Sequence, residues 1–202
     1  MDMFDLSRYE KMYETFDVAH GIDHIEMTRK RAAALAKKYA PELEELVYIA
    51  ATLHDIGLVG GREDHEKRGA DLIEKDLDLK NYLGEEKHKM VVEAIAEHRA
   101  STGNPKTILG KIVSDADRIS STNSSGLLRR NYVYRVKENP EMSEDEKLLD
   151  SAKHLKEKFG PGCRGSRTYF EETAREIAEM VNPIIEAYDA KDVAKLASIL
   201  KG

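Results

Sequence analysis

Apolar residues recur three and four positions apart through most of this chain, and nowhere do they alternate every second residue over the length of a strand. A period of about 3.6 residues buries its apolar side against other helices, so the sequence predicts an all-α protein, a single compact multi-helix bundle. Short breaks rich in Gly, Asn or Pro divide it. Helices are predicted from Asp23 to about Tyr39, Glu42 to Asp55, Asp64 to Leu77, Glu85 to Arg99 and Lys106 to Ser120. Two or three more fill the C-terminal third, the amphipathic stretch Phe170 to Tyr188 among them. Asp23 and Glu26 have the spacing of a capping box, Pro41 stops the first of these helices, and Gly57 suits a left-handed exit from the second.

The 202 residues fit one domain with a full core. No run approaches the roughly 18 apolar residues of a membrane helix. A formal charge of -6 gives no basic face for duplex nucleic acid. The N-terminal Met1-Asp2-Met3-Phe4-Asp5 lacks the basic and apolar segments of a secretory leader, and the lone Cys163 has no internal partner, so a reducing cytoplasm is expected. Residues 160–166 read as a glycine-rich loop without the Lys-Ser/Thr pair of a P-loop.

Chemistry concentrates in the histidines. His54 and Asp55 close an apolar run, Leu46 to Leu53, just before Gly57. His24 lies at the edge of the stripe made by Ile25, Ala32, Leu35, Ala36 and Tyr39. His98 falls among Val91, Ala94 and Ile95, and His65 shares a face with Gly69 and Leu72, the glycine permitting close helix approach. Each alone reads as a hydrogen-bonded core histidine. Four on successive helices, one beside an aspartate, are more desolvated polar material than a core tolerates without a shared partner, and a cation is the natural one. Periodicity leaves two carboxylates open to complete the shell, Asp115 and Asp117, with Asp115 nearer the apolar centre. His20, His88 and His154 read as structural or surface residues.

Three segments in this order carry a family resemblance: His20-Gly21-Ile22-Asp23-His24 with Arg29, Leu53-His54-Asp55-Ile56-Gly57, and Ser114-Asp115-Ala116-Asp117-Arg118-Ile119. Together they resemble the HD superfamily of metal-dependent phosphohydrolases, with an HD-like core at about 20–120 and a helical extension at about 126–202. The resemblance implies metal ligands His24, His54, Asp55 and Asp117, leaving Asp115 as reserve. It places His65 and His98 where some branches bind a second metal or the substrate phosphate. The chain lacks the Gly-Tyr-Pro signature of the cyclic-dinucleotide branch, and has Ile119-Ser120-Ser121 where similar proteins carry Leu-Asp-Ala.

Mixed nitrogen and oxygen ligation favours Mn, Fe, Co, Ni or Zn over Mg or Ca, with one ion expected and room for two. The expected reaction is phosphoester hydrolysis by metal-bound hydroxide, on a small phosphorylated molecule of which a nucleotide is the first class to consider. Arg99 and Arg118 are the preferred phosphate contacts, with Arg62, Lys67 and Arg68 as further candidates. A homo-oligomer is compatible with the amphipathic C-terminal helix. The rival reading is a metal-stabilised regulatory or binding module without hydrolytic activity; a di-iron oxygenase is a third.

Overall fold

The computed structural model describes residues 3–16, 20–100, 102–119 and 121–202. Among these the chain is helical without strands, and its contacts group it into two compact units, Met1–Ser120 and Ser121–Gly202. The first unit holds α1 (Ser7–Tyr13), α2 (Ile22–Tyr39), α3 (Glu44–Leu53), α4 (His65–Glu74), α5 (Leu77–Leu83), α6 (Glu85–Glu97) and α7 (Ile108–Ala116). The second holds α8 (Ser124–Glu138), α9 (Glu144–Phe159), α10 (Glu171–Asp189) and α11 (Val193–Lys201). No helix among the described residues is long and apolar enough to cross a membrane.

In the first unit α3 is the central element. Its residues Leu46, Val47, Ile49, Ala50, Ala51, Thr52 and Leu53 are all buried, the pattern of a helix enclosed on every side. It packs against α2, α6 and α7, and α4 packs on α6. The core is completed by Ile25 and Ala32 of α2, Val91 and Ile95 of α6, and Leu109, Ile112 and Val113 of α7. Arg29 ties three helices together: its Nε donates to Thr52 Oγ1 at 2.7 Å, its Nη2 bonds Glu10, and its guanidinium lies 4.6 Å from the Tyr48 ring centroid.

In the second unit α9 opens on a capping box. Ser143 Oγ accepts from the Glu146 amide at 3.3 Å, and Glu146 returns an acceptor to the Ser143 amide at 2.8 Å.

Several local expectations need correction. Helix α2 starts one residue before Asp23, with Gly21 as N-cap and no side-chain cap, so Asp23 and Glu26 form no capping box. Two short helices, α1 and α5, carried too few periodic positions to be read, although Asp76 caps α5 by accepting from the Leu79 amide at 3.0 Å. Leu72 and Tyr39 are exposed rather than part of buried stripes. Helix α7 ends at Ala116, short of the expected Ser120, a residue that lies outside the described ones, as do Met1 and Asp2 of the N-terminal segment.

Gly57 is not left-handed. It belongs to the 3-10 turn Ile56–Gly60, and the positive φ falls at Gly61, at 98°. Glycine is required at position 57 for space: a Cβ there would lie 2.0 Å from the His65 carbonyl oxygen.

Candidate metal centre

Six side chains from six elements meet in the first unit, each carried at or beside a helix end. His24 is in the first turn of α2, and His54 caps the C-terminus of α3. Asp55 follows it at the start of the 3-10 turn. His65 opens α4, while His98 and Asp117 cap the C-termini of α6 and α7.

They form two clusters that share Asp55: His24, His54, Asp55 and Asp117 in one, Asp55, His65 and His98 in the other. In the first, His24 Nε2 lies 3.2 Å from His54 Nε2, 3.4 Å from Asp55 Oδ2 and 3.1 Å from Asp117 Oδ1. His54 Nε2 lies 3.3 Å from the same Asp55 oxygen and 3.5 Å from Asp117 Oδ1. In the second, the other oxygen of Asp55, Oδ1, is 3.2 Å from His65 Nε2 and 3.6 Å from His98 Nε2, and the two nitrogens are 3.3 Å apart. Ligand atoms held about 2.0–2.2 Å from one ion stand about 2.8–3.6 Å from each other along a tetrahedral or octahedral edge. Both clusters have those spacings.

The hydrogen bonds on the far side of the rings decide what the clusters can bind. His54 Nδ1 pairs with the Ala51 carbonyl at 2.9 Å, His65 Nδ1 with the Arg62 carbonyl at 3.0 Å, and His98 Nδ1 with the Ile95 carbonyl at 2.7 Å. A carbonyl only accepts, so each Nδ1 carries the proton, and each neutral ring turns an Nε2 lone pair inward. Three lone pairs and two carboxylates then face one another with nothing positive between them. Burial sharpens the conflict, because His54 is fully enclosed and His24, Asp55 and His98 are buried with it.

Without a cation, protons relieve it. Burial works hardest to keep His54 neutral, yet the Asp55 charge and the hydrogen bonds to Asp117 and Asp55 outweigh it and hold its pKa well above the ordinary histidine value. His24 and His65 are raised in the same way, against burial, by their bonds to Asp117 and Asp55 and to Asp55 respectively. Burial also pushes Asp55 and Asp117 upward, but the facing histidines win and hold both below the usual carboxylate value. A divalent ion supplies the same positive charge at neutral pH, and the donor set of imidazole and carboxylate fits a transition-metal ion.

The remaining candidates separate by their partners. Asp115 is fully buried and joins neither cluster; its carboxylate lies 3.7 Å from Arg118, whose Nη2 donates to Ser114 at 3.1 Å. Arg118 is therefore held in the interior rather than at a cleft mouth. Arg99 lies 3.3 Å from Glu66, Lys67 pairs with Asp64 on the surface, and Arg68 donates to backbone carbonyls. Arg62 Nη2 lies 3.5 Å from His20 Nδ1, and the His20 ring is 5.8 Å from that of His24.

His88 is buried rather than at a rim, with Nε2 2.8 Å from the Ile73 carbonyl, which joins α6 to α4. Two contributors escaped sequence reasoning. Buried Glu66 lies 3.4 Å from His65 Nδ1 and accepts from Thr102 at 3.2 Å, and Tyr13, fully enclosed, donates to the Thr52 carbonyl at 2.7 Å. Glu66 could have been found one position after a candidate ligand; Tyr13 offered no signal.

The helical scaffold carries two imidazole-carboxylate clusters that could hold divalent cations between helix ends. A family model described as HD domain matches residues 21–122, half of the chain, and contains all six clustered residues. The chain belongs to the HD domain family. Comparison with curated proteins and with solved structures gave no match.

Proposed function

We propose that this protein is a phosphohydrolase dependent on divalent transition-metal ions and acts on a small phosphorylated molecule, with nucleotides the first class to test. One cation is held by His24, His54, Asp55 and Asp117, and a second by Asp55, His65 and His98. The observation that carries this reading is the meeting of three inward lone pairs, fixed by their Nδ1 bonds, with two carboxylates at coordination-edge spacing.

Bound ions supply an acidified water and charge neutralisation for a phosphate. The side chains do the rest. Two carboxylates bring a charge of -2 against +4 from two ions, leaving the site net positive and able to attract a phosphate without a dedicated arginine clamp. Asp117 and His65 are the cluster residues with partial exposure, at 24% and 12% of the side chain, so the clusters open to solvent at these two residues. That opening favours hydrolysis over the rival reading of a purely structural metal, whose site would be closed. Arg62 and His20, which lie near His24, are the candidates to orient a substrate phosphate. Glu66 steadies His65 and holds Arg99 beside it.

Purified protein given manganese should release phosphate from members of a nucleotide panel, and His54→Ala combined with Asp55→Ala should abolish the release. Turnover unchanged in that double variant refutes the assignment.

A further inference from the structure

Arg68 has an unusual set of partners for a surface helix cation. Its Nη1 donates to the carbonyls of Gly57 at 2.6 Å and Gly61 at 3.0 Å, and its Nη2 to that of Glu63 at 2.9 Å. All three belong to the segment joining Asp55 to His65, so one planar guanidinium from α4 fastens the whole connection between two ligands of the second cluster. Beneath it the backbones touch. The Cβ that Gly57 lacks would lie 2.0 Å from the His65 carbonyl oxygen and 2.5 Å from the Gly69 amide. The Cβ that Gly69 lacks would lie 3.2 Å from Ile95 Cγ2, and the Ile95 carbonyl is the one that fixes His98.

Each member of this stack lies within about a helical turn of one ligand: Gly57 two residues after Asp55, Gly69 four after His65, Ile95 three before His98. The stack connects the 3-10 turn Ile56–Gly60, α4 and α6, the elements carrying the second cluster. His24 and Asp117 are carried by α2 and α7. Apart from the adjacent pair His54 and Asp55, the two clusters thus have separate supports.

We infer that Arg68, through its three carbonyls and the Gly57–Gly69–Ile95 stack it clamps, is a positioning residue for the second cation site alone. The inference rests on the two-cation reading above. It assigns Arg68 to the scaffold rather than to the substrate phosphate.

The test is a titration of the full chain with manganese(II) alone, followed by calorimetry and electron paramagnetic resonance. The parent chain should take up two ions and show an exchange-coupled signal. Arg68→Met should leave first-ion affinity within twofold, weaken the second ion by about 10–100-fold, and restore the six-line signal of an isolated ion. Arg68→Lys, a point charge without the fork, should behave like Arg68→Met. Gly69→Ala, which adds one methyl against Ile95, should weaken the second ion in the same direction and carries the test if Arg68→Met fails to fold by circular dichroism. Folded variants that keep second-ion affinity within twofold of the parent, or that weaken both ions equally, overturn the inference. A parent chain that binds one ion overturns the two-cation reading instead, and does so before any variant is made.

Discussion

Replacing Asp55 with Asn keeps the shape of the side chain and removes the charge that both clusters share. One of its oxygens faces His24 and His54 at 3.4 and 3.3 Å, the other faces His65 and His98 at 3.2 and 3.6 Å. Among the described residues no other side chain belongs to both sets. An ion binding only the folded chain at 100 times its Kd stabilises it by about 2.7 kcal/mol, which for a chain of this size raises Tm by about 5–11 °C. Two ions therefore give about 11–22 °C on the same basis. Asp55→Asn should lose nearly all of that increment, whereas Asp117→Asn, which alters one cluster, should lose about half. The assay is calorimetric melting of chelator-treated protein with and without manganese, each variant compared with its own metal-free state. A full manganese increment retained by Asp55→Asn would show that Asp55 does not join the two sites, and the shared-ligand reasoning would fail.

Metal-free protein should be most stable in mildly acid solution. His24, His54 and His65 have folded pKa values raised above 6.5, so their contribution is present below about pH 6.5 and fades as pH rises through the folded values. Asp55 and Asp117 are depressed below 3.8, so theirs is present above that and is lost as pH falls through the folded values. Melting of the chelated chain across pH 3–9 should therefore peak between about 4 and 6.5 and decline above it, while manganese should shift the optimum upward; a metal-free optimum above pH 8 would contradict the ligand electrostatics. In the second unit, Ser143→Ala removes the cap of α9 and should cost about 1 kcal/mol in chemical denaturation, with no effect on manganese binding; loss of metal affinity there would mean the role assigned to Ser143 is incomplete.

Much of the candidate metal site was legible because its residues are chemically conspicuous and their helices periodic. His24, His54, Asp55, His65 and His98 stood out as polar residues on or beside apolar stripes, and the structure brings them together. The choice between Asp115 and Asp117 was not decided by periodicity. Asp115 does lie on the buried side of α7, but burial is not direction: it faces Arg118, while Asp117 at the helix cap reaches the cluster. The arginines misled for a related reason. Adjacency to a ligand in sequence says little about where a long side chain ends, and Arg118 turns inward to Ser114 while Arg68 turns to carbonyls. Gly57 shows the limit of local rules, since its need for glycine comes from α4 crossing it, a contact no turn propensity encodes.

The three Nδ1 bonds link metal affinity to secondary structure in one respect. In each, the accepting carbonyl belongs to the residue three positions earlier: Ala51 for His54, Arg62 for His65, Ile95 for His98. For His54 and His98 that carbonyl is in the last turn of a helix, where backbone acceptors otherwise go unmet. The imidazole that terminates the helix is the same one that turns its other nitrogen into a cluster that could hold an ion. Under the proposed cation binding, fraying of α3 or α6 would therefore be coupled to release of the ion, and loading the clusters would fasten the ends of these helices.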